Sequence, residues 1–322
     1  MTQTPETELA VSLTGVAKSF GRVPAVDGVD LTVRRGETVA LLGRHGAGKS
    51  TAIGLMLGLH PPDSGEVRLF GLPPAQVVAA GRVGALLQDS RPIPRTTVRE
   101  LVTFVAHTYP RPLPVARALR LAGLTEYADQ RADRLSSGRL QLVRFALALV
   151  GDPELIILDE PTAALDAKAR NAFWTSMRGY AAEGNTVLFS THYLEEAHDN
   201  ADRIVVVDHG RIVADGTGDD LRRSAGGTIV SFDLAGRGSH GLTELPGVVS
   251  MEIRGDRARL TTTDSDATVV ALARMDAIRG LDVSAVSLED AFLSLTSRLE
   301  AARLDRPTGA DRPDDALAGC VR

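Results

Sequence analysis

The stretch ETVALLGRHGAGKSTAIGLMLGL, residues 37–59, decides the fold of this 322-residue chain. Its first part, residues 38–42, is a short apolar run typical of a buried strand. Residues 43–50 then fit the pattern G-x-x-x-x-G-K-[ST], and a helical pattern follows. Glycines free successive backbone N–H groups to point at an anion, and a helix N-terminus adds partial positive charge. The stretch therefore predicts a phosphate-binding loop.

Two side chains of this loop are predicted to contact a bound nucleotide directly. Lys49 can reach the β and γ phosphates, and the hydroxyl of Ser50 can ligate Mg²⁺. The preceding strand, the following helix and the GKS ending weigh against the alternative, a glycine-rich turn that only joins a strand to a helix.

Composition and charge exclude several classes of protein. The net charge of −5 argues against broad binding to nucleic acid, and no nucleic-acid partner is expected. No apolar run approaches the roughly 18 residues that span a bilayer. The first residues, MTQTPETELA, lack the basic and apolar parts of a secretion signal, and the single cysteine, Cys320, suits a reducing compartment. We therefore expect a cytoplasmic chain.

Two carboxylates close the apolar run ELIILDE, residues 154–160. Asp159 is predicted to bind Mg²⁺ through water, and Glu160 to orient or deprotonate the attacking water. Because adjacent acids at the end of a buried strand are costly without a cation, a purely structural role is less favoured. Asp166 follows in a short loop.

Two further polar residues end apolar runs, where nucleotide-binding sheets meet their ligand. Gln88 follows residues 82–87 and is predicted to contact Mg²⁺ or the attacking water, with a plain loop glutamine as the alternative. His192 follows the strand at 185–190 and would be aimed at the γ phosphate, although a lone histidine is more often structural.

The sequence leaves two roles open. Residues 8–33 alternate as antiparallel strands, and the aromatic ring of Phe20 fits adenine stacking and core packing equally well. The run LSSGRLQ, residues 135–141, opens a long amphipathic helix, at which Ser136 and Ser137 are either simple caps or part of a second anion site. One helix start cannot easily share a γ phosphate with Lys49 within a single chain.

The chain is predicted to divide into a first domain at residues 1–220, with a helical part at about 89–150, and a small α+β domain at residues 226–304. In the second domain we expect strands near 228–234, 248–254, 257–262 and 281–286, a helix at about 265–279, and a final helix. Ser287 and Asp290 would form a capping box at the start of that helix. Residues 305–322 have the composition of a disordered tail.

The combination GRHGAGKST, Gln88, LSSGRLQ, LIILDEPTAALD and His192 resembles the ATP-binding subunits of ABC transporters over about residues 8–220. The resemblance implies an α/β P-loop NTPase fold of the ABC ATPase type, with a mixed central sheet, an antiparallel β subdomain and a helical subdomain. It also implies ATP hydrolysis with Mg²⁺.

The same resemblance implies a role for each motif. Asp159 would be the Walker B magnesium residue, with Ser50 and Gln88 as further ligands, and Glu160 the catalytic glutamate. The switch histidine would be His192, and the D-loop would contain Asp166. The ATP contacts would be Phe20, Gly43, Arg44, His45, Gly46, Ala47, Gly48, Lys49, Ser50 and Thr51, and the signature contacts with a partner's ATP would be Ser136, Ser137, Gly138 and Gln141.

The signature resolves the question of two helix starts. In this family the signature of one subunit caps the γ phosphate held by the other, so the resemblance implies a dimer with a second copy or a paralogous ATPase. The run SLEDAFLSLT, residues 287–296, resembles the C-terminal extension of drug-export ATPases of the daunorubicin-resistance, ABC-2 type. It implies export of an amphiphilic drug or antibiotic through a separate permease, and a peripheral position on the inner face of the membrane.

Three residues depart from the family pattern. Ser137 replaces the first of two signature glycines and adds a Cβ and a hydroxyl near the phosphate. Because its backbone N–H remains, we expect binding to be retained, with reduced turnover. Arg139 adds a charge where glutamine is common, and His45 replaces an asparagine with little expected effect. Two alternatives remain: an ABC-type ATPase acting on ribosomes or DNA, and a slowly hydrolysing regulatory module.

Overall fold

The computed structural model describes residues 8–88, 93–224, 227–236, 238–275, 278–287, 289–290 and 292. Its main sheet has six strands in the order β5-β6-β7-β3-β8-β9, and all neighbours are parallel except β8 and β9. These strands are β3 (Thr38–Leu42), β5 (Val83–Leu86), β6 (Leu155–Asp159), β7 (Thr186–Thr191), β8 (Arg203–Asp208) and β9 (Arg211–Gly216).

The central strands β3, β6 and β7 are buried along their whole length, as expected for parallel strands covered on both faces. Alternate residues of β3 enter two different cores. Val39 and Leu41 join a core that contains α1 (Lys49–Met56) and a three-stranded antiparallel sheet. Ala40 and Leu42 join a second core, formed with helices on the opposite face. The sheet therefore forms the middle layer and brings its carboxyl ends together at one edge.

A three-stranded antiparallel sheet, in the order β2-β1-β4, covers the first face. It comprises β1 (Leu9–Phe20), β2 (Val23–Arg34) and β4 (Ser64–Leu69). The predicted turn at Gly21 joins β1 to β2. This antiparallel sheet and the mixed main sheet together confirm the predicted sheet architecture.

Helices cover the second face of the main sheet. They share one core with it. They are α3 (Val98–Ala106), α4 (Val115–Leu121), α5 (Ser137–Leu149), α6 (Ala167–Ala182), α7 (Leu194–Asn200) and α8 (Gly218–Ser224). Two further helices lie elsewhere: α2 (Pro74–Ala79), whose Val77 joins the core of the first face, and α9 (Ser265–Arg274). No helix was predicted from the sequence at α2, α6, α7 or α8. In the described part of the chain, no helix is both long enough and apolar enough to cross a bilayer.

A second antiparallel sheet follows, in the order β11-β12-β10-β13, with α9 packed on one face. Its strands are β10 (Thr228–Asp233), β11 (Val248–Arg254), β12 (Arg257–Thr262) and β13 (Asp282–Ala285). They match the predicted elements, whereas α9 ends five residues before the predicted 279. Most of the predicted final helix and the whole tail at 305–322 lie outside the described residues. The division into domains stays a prediction.

Candidate active site

The loop between β3 and α1 is shaped by its backbone contacts. Gly48 has a φ of 104° directly before α1, and a Cβ built there would lie 2.2 Å from the carbonyl oxygen of Ala25. Both the left-handed conformation and the close approach require glycine at this position. The chain thereby enters α1 at Lys49, so the first N–H groups of the helix face the loop.

Lys49 is the buried cation of this loop. Its Nζ donates hydrogen bonds to the carbonyl oxygens of Gly43, at 2.7 Å, and Arg44, at 3.1 Å. Burial lowers the pKa of Lys49, and the nearby carboxylates of Glu160 and Asp159 oppose this shift. A partly desolvated ammonium inside a loop of backbone amides is suited to bind a polyanion.

The carboxyl ends of β6 and β7 meet beside this loop. Ser190 on β7 donates its hydroxyl to Oδ1 of Asp159 at 2.5 Å and accepts the backbone N–H of Glu160 at 2.9 Å. Asp159 is buried, and Glu160 has a φ of 47°. One hydroxyl thus fixes both acidic residues, and the left-handed backbone at Glu160 turns the chain away from the strand.

Glu160 lies between two histidines. Its Oε1 is 3.3 Å from Nδ1 of His192 and 3.9 Å from Nε2 of His45, and the two imidazole rings are 4.7 Å apart. The Glu160 side chain is only 11% exposed, so solvent screens these contacts weakly. The structure brings together the predicted base, the predicted switch histidine and the unusual loop histidine.

The predicted magnesium ligands offer a hydroxyl, a carboxylate and an amide oxygen, which is the donor set that Mg²⁺ prefers. Asp159 is held at the end of β6, Ser50 is exposed in the first turn of α1, and Gln88 is exposed two residues beyond β5. The residues present therefore fit this ion, and their coordination of it stays a prediction.

The signature segment, residues 135–141, forms the start of α5. Helix capping, one of the two roles that the sequence left open, is present there. Ser136 is the N-cap, and its Oγ accepts the N–H of Arg139 at 3.4 Å. Ser137 is exposed in the first turn. A Cβ on Gly138 would lie 2.8 Å from the carbonyl oxygen of Ala164, so any larger residue would push α5 away from that segment. Capping does not exclude the predicted anion site, because the exposed helix start also faces solvent.

Gln141 and Asp166 make contacts within the chain. Gln141 is buried, and its Nε2 donates to the carbonyl oxygen of Pro161 at 3.1 Å, next to Glu160. Asp166 caps α6 by accepting the N–H of Ala169 at 2.8 Å. The predicted contact of Gln141 with a partner's nucleotide would require its amide to leave Pro161. That contact stays a prediction.

Phe20 does not pack in the core. Its side chain is 49% exposed at the end of β1, and its ring meets His60 edge to face with centroids 5.6 Å apart. Of the two roles that the sequence left open, core packing is therefore wrong. The exposed ring leaves adenine stacking as the prediction.

A buried network lies behind His192 and was not predicted from the sequence. Glu196 on α7 is 7% exposed. It accepts hydrogen bonds from the indole of Trp174 at 3.0 Å, from the hydroxyl of Thr191 at 2.5 Å, and from the hydroxyl of Thr162. Thr162 lies two residues after Glu160, and Thr191 directly precedes His192. The Glu196 carboxylate therefore ties together the two segments that present these side chains.

Replacing Glu196 by alanine is expected to lower the free energy of unfolding by ~2–4 kcal/mol, because three buried donors lose their acceptor. Urea denaturation followed by circular dichroism measures the change. The matched control is Glu195→Ala, since the neighbouring Glu195 is exposed. Equal unfolding midpoints for the two variants would contradict the structural role given to the network.

The chain is similar to known proteins over most of its length. Residues 26–163 match the family model described as ABC transporter. The Nod factor export ATP-binding protein I of Paraburkholderia xenovorans is 36% identical over 90% of this chain and 98% of its own length. The protein of the same description from Sinorhizobium fredii is 35% identical over 91% of this chain and 88% of its own.

Solved structures agree in fold. A dimeric bacterial ABC transporter cassette is 27% identical and superposes with a TM-score of 0.59, over 64% of this chain and 98% of the cassette. An ATP-binding subunit of an ABC transporter is 29% identical with a TM-score of 0.61, over 67% of this chain and 92% of that one. Fold and site together define a P-loop ATPase of the ABC class. The chain belongs to the ABC transporter family, as the motif order predicted.

Proposed function

We propose that this chain is the ATP-hydrolysing subunit that powers a membrane exporter of an amphiphilic compound such as a drug or antibiotic. The observation that carries the ATPase chemistry is the meeting of Glu160, His192 and Asp159 beside Lys49. The inference of export rests on the relatives at about 35% identity, whose names describe Nod factor export and whose length this chain nearly spans.

Each residue then has a role in hydrolysis. Lys49 and the loop amides bind the β and γ phosphates, and Phe20 stacks on adenine. Mg²⁺, held by Ser50, Asp159 and Gln88, would neutralise phosphate charge. Glu160 orients the attacking water and accepts its proton, and His192 holds the Glu160 carboxylate at 3.3 Å and contacts the γ phosphate.

The site is completed by a second ATPase subunit, either another copy or a paralogue. Ser136, Ser137, Gly138 and the start of α5 would approach the γ phosphate bound to the partner, with Asp166 at the same interface. The dimeric cassette among the similar structures supports this arrangement. ATP binding closes the dimer and hydrolysis reopens it, and this cycle drives a separate permease. Binding to the permease would place the chain on the inner face of the membrane.

The test is to recover the permease with the subunit. We would purify tagged Glu160→Gln protein from its native cells in mild detergent with ATP and Mg²⁺, and identify the partners by mass spectrometry. Lys49→Ala, which loses the phosphate contact, is the matched control. The proposal predicts one polytopic membrane protein that is enriched with Glu160→Gln and depleted with Lys49→Ala. Recovery of ribosomes or DNA-associated proteins without a membrane protein would instead support the non-transport alternative.

A second measurement connects the partner to the function. The recovered complex, reconstituted in lipid vesicles with the wild-type subunit, should hydrolyse ATP faster in the presence of a transported amphiphile than without it. Turnover that is indifferent to every compound moved by the complex would contradict the proposed coupling.

A further inference from the structure

Three potential metal ligands converge at the mouth of the phosphate-binding loop. His45, Glu160 and His192 each offer one ligand atom, and these atoms all lie within 4.8 Å of one another. They come from three separate segments: the loop after β3, the end of β6 and the end of β7. No single secondary-structure element accounts for their meeting.

The spacing is close to that of a tetrahedral metal site. Zinc binds imidazole nitrogen at about 2.0–2.1 Å, which places neighbouring ligand atoms about 3.3–3.4 Å apart. Oε1 of Glu160 and Nδ1 of His192 are already 3.3 Å apart, and Nε2 of His45 is 3.9 Å from the same oxygen. The ligand atoms of His45 and His192 lie within 4.8 Å of each other. His45 therefore has to move by about 0.5–1.5 Å to meet the tetrahedral spacing to both partners, and its 77% exposed side chain has room to do so.

The chemistry of the ligands selects the ion. Two imidazoles and one carboxylate suit zinc and other first-row divalent metals, whereas Mg²⁺ and Ca²⁺ prefer all-oxygen sites. Lys49 places a positive charge near the cluster. The carboxylate of Asp159 lies near Lys49, as that of Glu160 does, and offsets this charge. A zinc-like divalent metal therefore fits this cluster. The predicted Mg²⁺ ligands are all oxygens, so they do not compete for the same ion.

We propose that His45, Glu160 and His192 form an inhibitory binding site for a zinc-like divalent metal in the nucleotide-free subunit. The metal is held by Nε2 of His45, Oε1 of Glu160 and Nδ1 of His192, with solvent in the fourth position. It withdraws Glu160 from the attacking water and fixes the loop residue His45 to the ends of β6 and β7. The inhibitory part of this proposal rests on the proposed ATPase function, whereas metal binding does not.

Metal binding is tested without ATP. Co²⁺ substitutes for Zn²⁺ and shows strong visible absorption when its coordination is tetrahedral, so Co²⁺ titration of the purified full-length protein reports the site. We expect such bands in the wild type, lost on addition of Zn²⁺. His45→Asn and Glu160→Gln should each weaken binding by about 10²-fold or more, since losing a direct ligand costs more than the 10–100-fold effect of a second-shell change.

The matched control is His107→Asn. His107 is an exposed histidine at the end of α3, outside the cluster, and its removal should leave the titration unchanged. Circular dichroism of each variant verifies that it is folded. Absence of the bands in the wild type, or equal affinity in the wild type and His45→Asn, would overturn the proposed site.

Inhibition is measured as a ratio within each protein. Turnover at buffered free Zn²⁺ is divided by turnover of the same protein without Zn²⁺, so a change in basal activity does not enter. We expect a fall of at least about tenfold in the wild type, if loss of Glu160 function has its usual effect, and a smaller fall in His45→Asn. Equal ratios would overturn the inhibitory role. A wild type that binds Co²⁺ yet shows no turnover would contradict the proposed function while supporting the metal site.

Discussion

Lys49→Ala is expected to weaken ATP binding by about 10²- to 10³-fold, equivalent to ~3–4 kcal/mol. The substitution removes the buried ammonium that the loop would present to the phosphates. The chain contains only two further lysines: Lys18, which pairs with Asp63, and Lys168 on α6. Equilibrium binding of a fluorescent ATP analogue measures the loss.

Stability separates this effect from misfolding. Alanine removes two hydrogen bonds to the carbonyl oxygens of Gly43 and Arg44, but it also removes a charge that burial disfavours. The two contributions oppose each other, so the unfolding midpoint should change little. Lys168→Ala, at an exposed position on α6, is the matched control and should bind ATP as the wild type does. Unchanged affinity in Lys49→Ala would show that phosphate is bound elsewhere.

Glu160→Gln is expected to reduce steady-state ATP hydrolysis by roughly 10²- to 10⁴-fold and to leave ATP binding intact. Glutamine preserves the size of the side chain and an oxygen within reach of His192, but it cannot accept a proton from water. Turnover is measured by phosphate release, and binding by the same fluorescent analogue.

Glu195→Gln provides the control for this substitution, because Glu195 is an exposed acid on the first turn of α7. It removes one negative charge close to His192 in sequence without touching Glu160, and should retain wild-type turnover. Retained turnover in Glu160→Gln would contradict the assignment of Glu160 as the base. Loss of both turnover and binding would indicate a structural role for this carboxylate.

Part of the candidate active site could be predicted from the points at which apolar runs end. Parallel strands place their carboxyl ends at one edge, so residues that close apolar runs become neighbours even when they are distant in sequence. Asp159, Glu160 and His192 obey this rule, and a contiguous pattern marks the loop before Lys49. The order of the strands is not visible in any one run, so the contact between Glu160 and His192 required the structure.

The supporting residues could not be predicted, because nothing in their local sequence distinguishes them. Ser190 is one residue of the buried strand TVLFST, and its two hydrogen bonds depend on β6 being the neighbour of β7. Glu195 and Glu196 look alike in the run LEEAHDN, yet only Glu196 is buried, since α7 packs near Trp174. Tertiary packing, rather than composition, selects which acid enters the core.

Two elements show how a sequence pattern can be overlooked, as in α6, or can fail to match the structure, as at Phe20. In α6 the buried residues Phe173, Trp174, Met177 and Tyr180 recur at helical spacing, and this period would have been sufficient to predict the helix, which was not assigned from the sequence. Phe20 is the opposite case, because an aromatic residue in an alternating strand suggests burial. Phe20 pairs with Val23 at the hairpin end of the sheet, where Val23 is itself exposed, so its ring remains half exposed.

We expect the proposed ATP site to be completed by a second ATPase subunit. Light scattering of Glu160→Gln, coupled to size-exclusion chromatography, tests it most directly by comparing the mass without nucleotide and with ATP and Mg²⁺. We expect a monomer that becomes a dimer of twice the mass with ATP, and that stays monomeric with ATP when Lys49 is also replaced by alanine. Saturation with ATP at unchanged monomer mass would contradict closure between two copies. If the same protein also failed to dimerise with a copurified paralogue, the two-subunit site itself would be excluded.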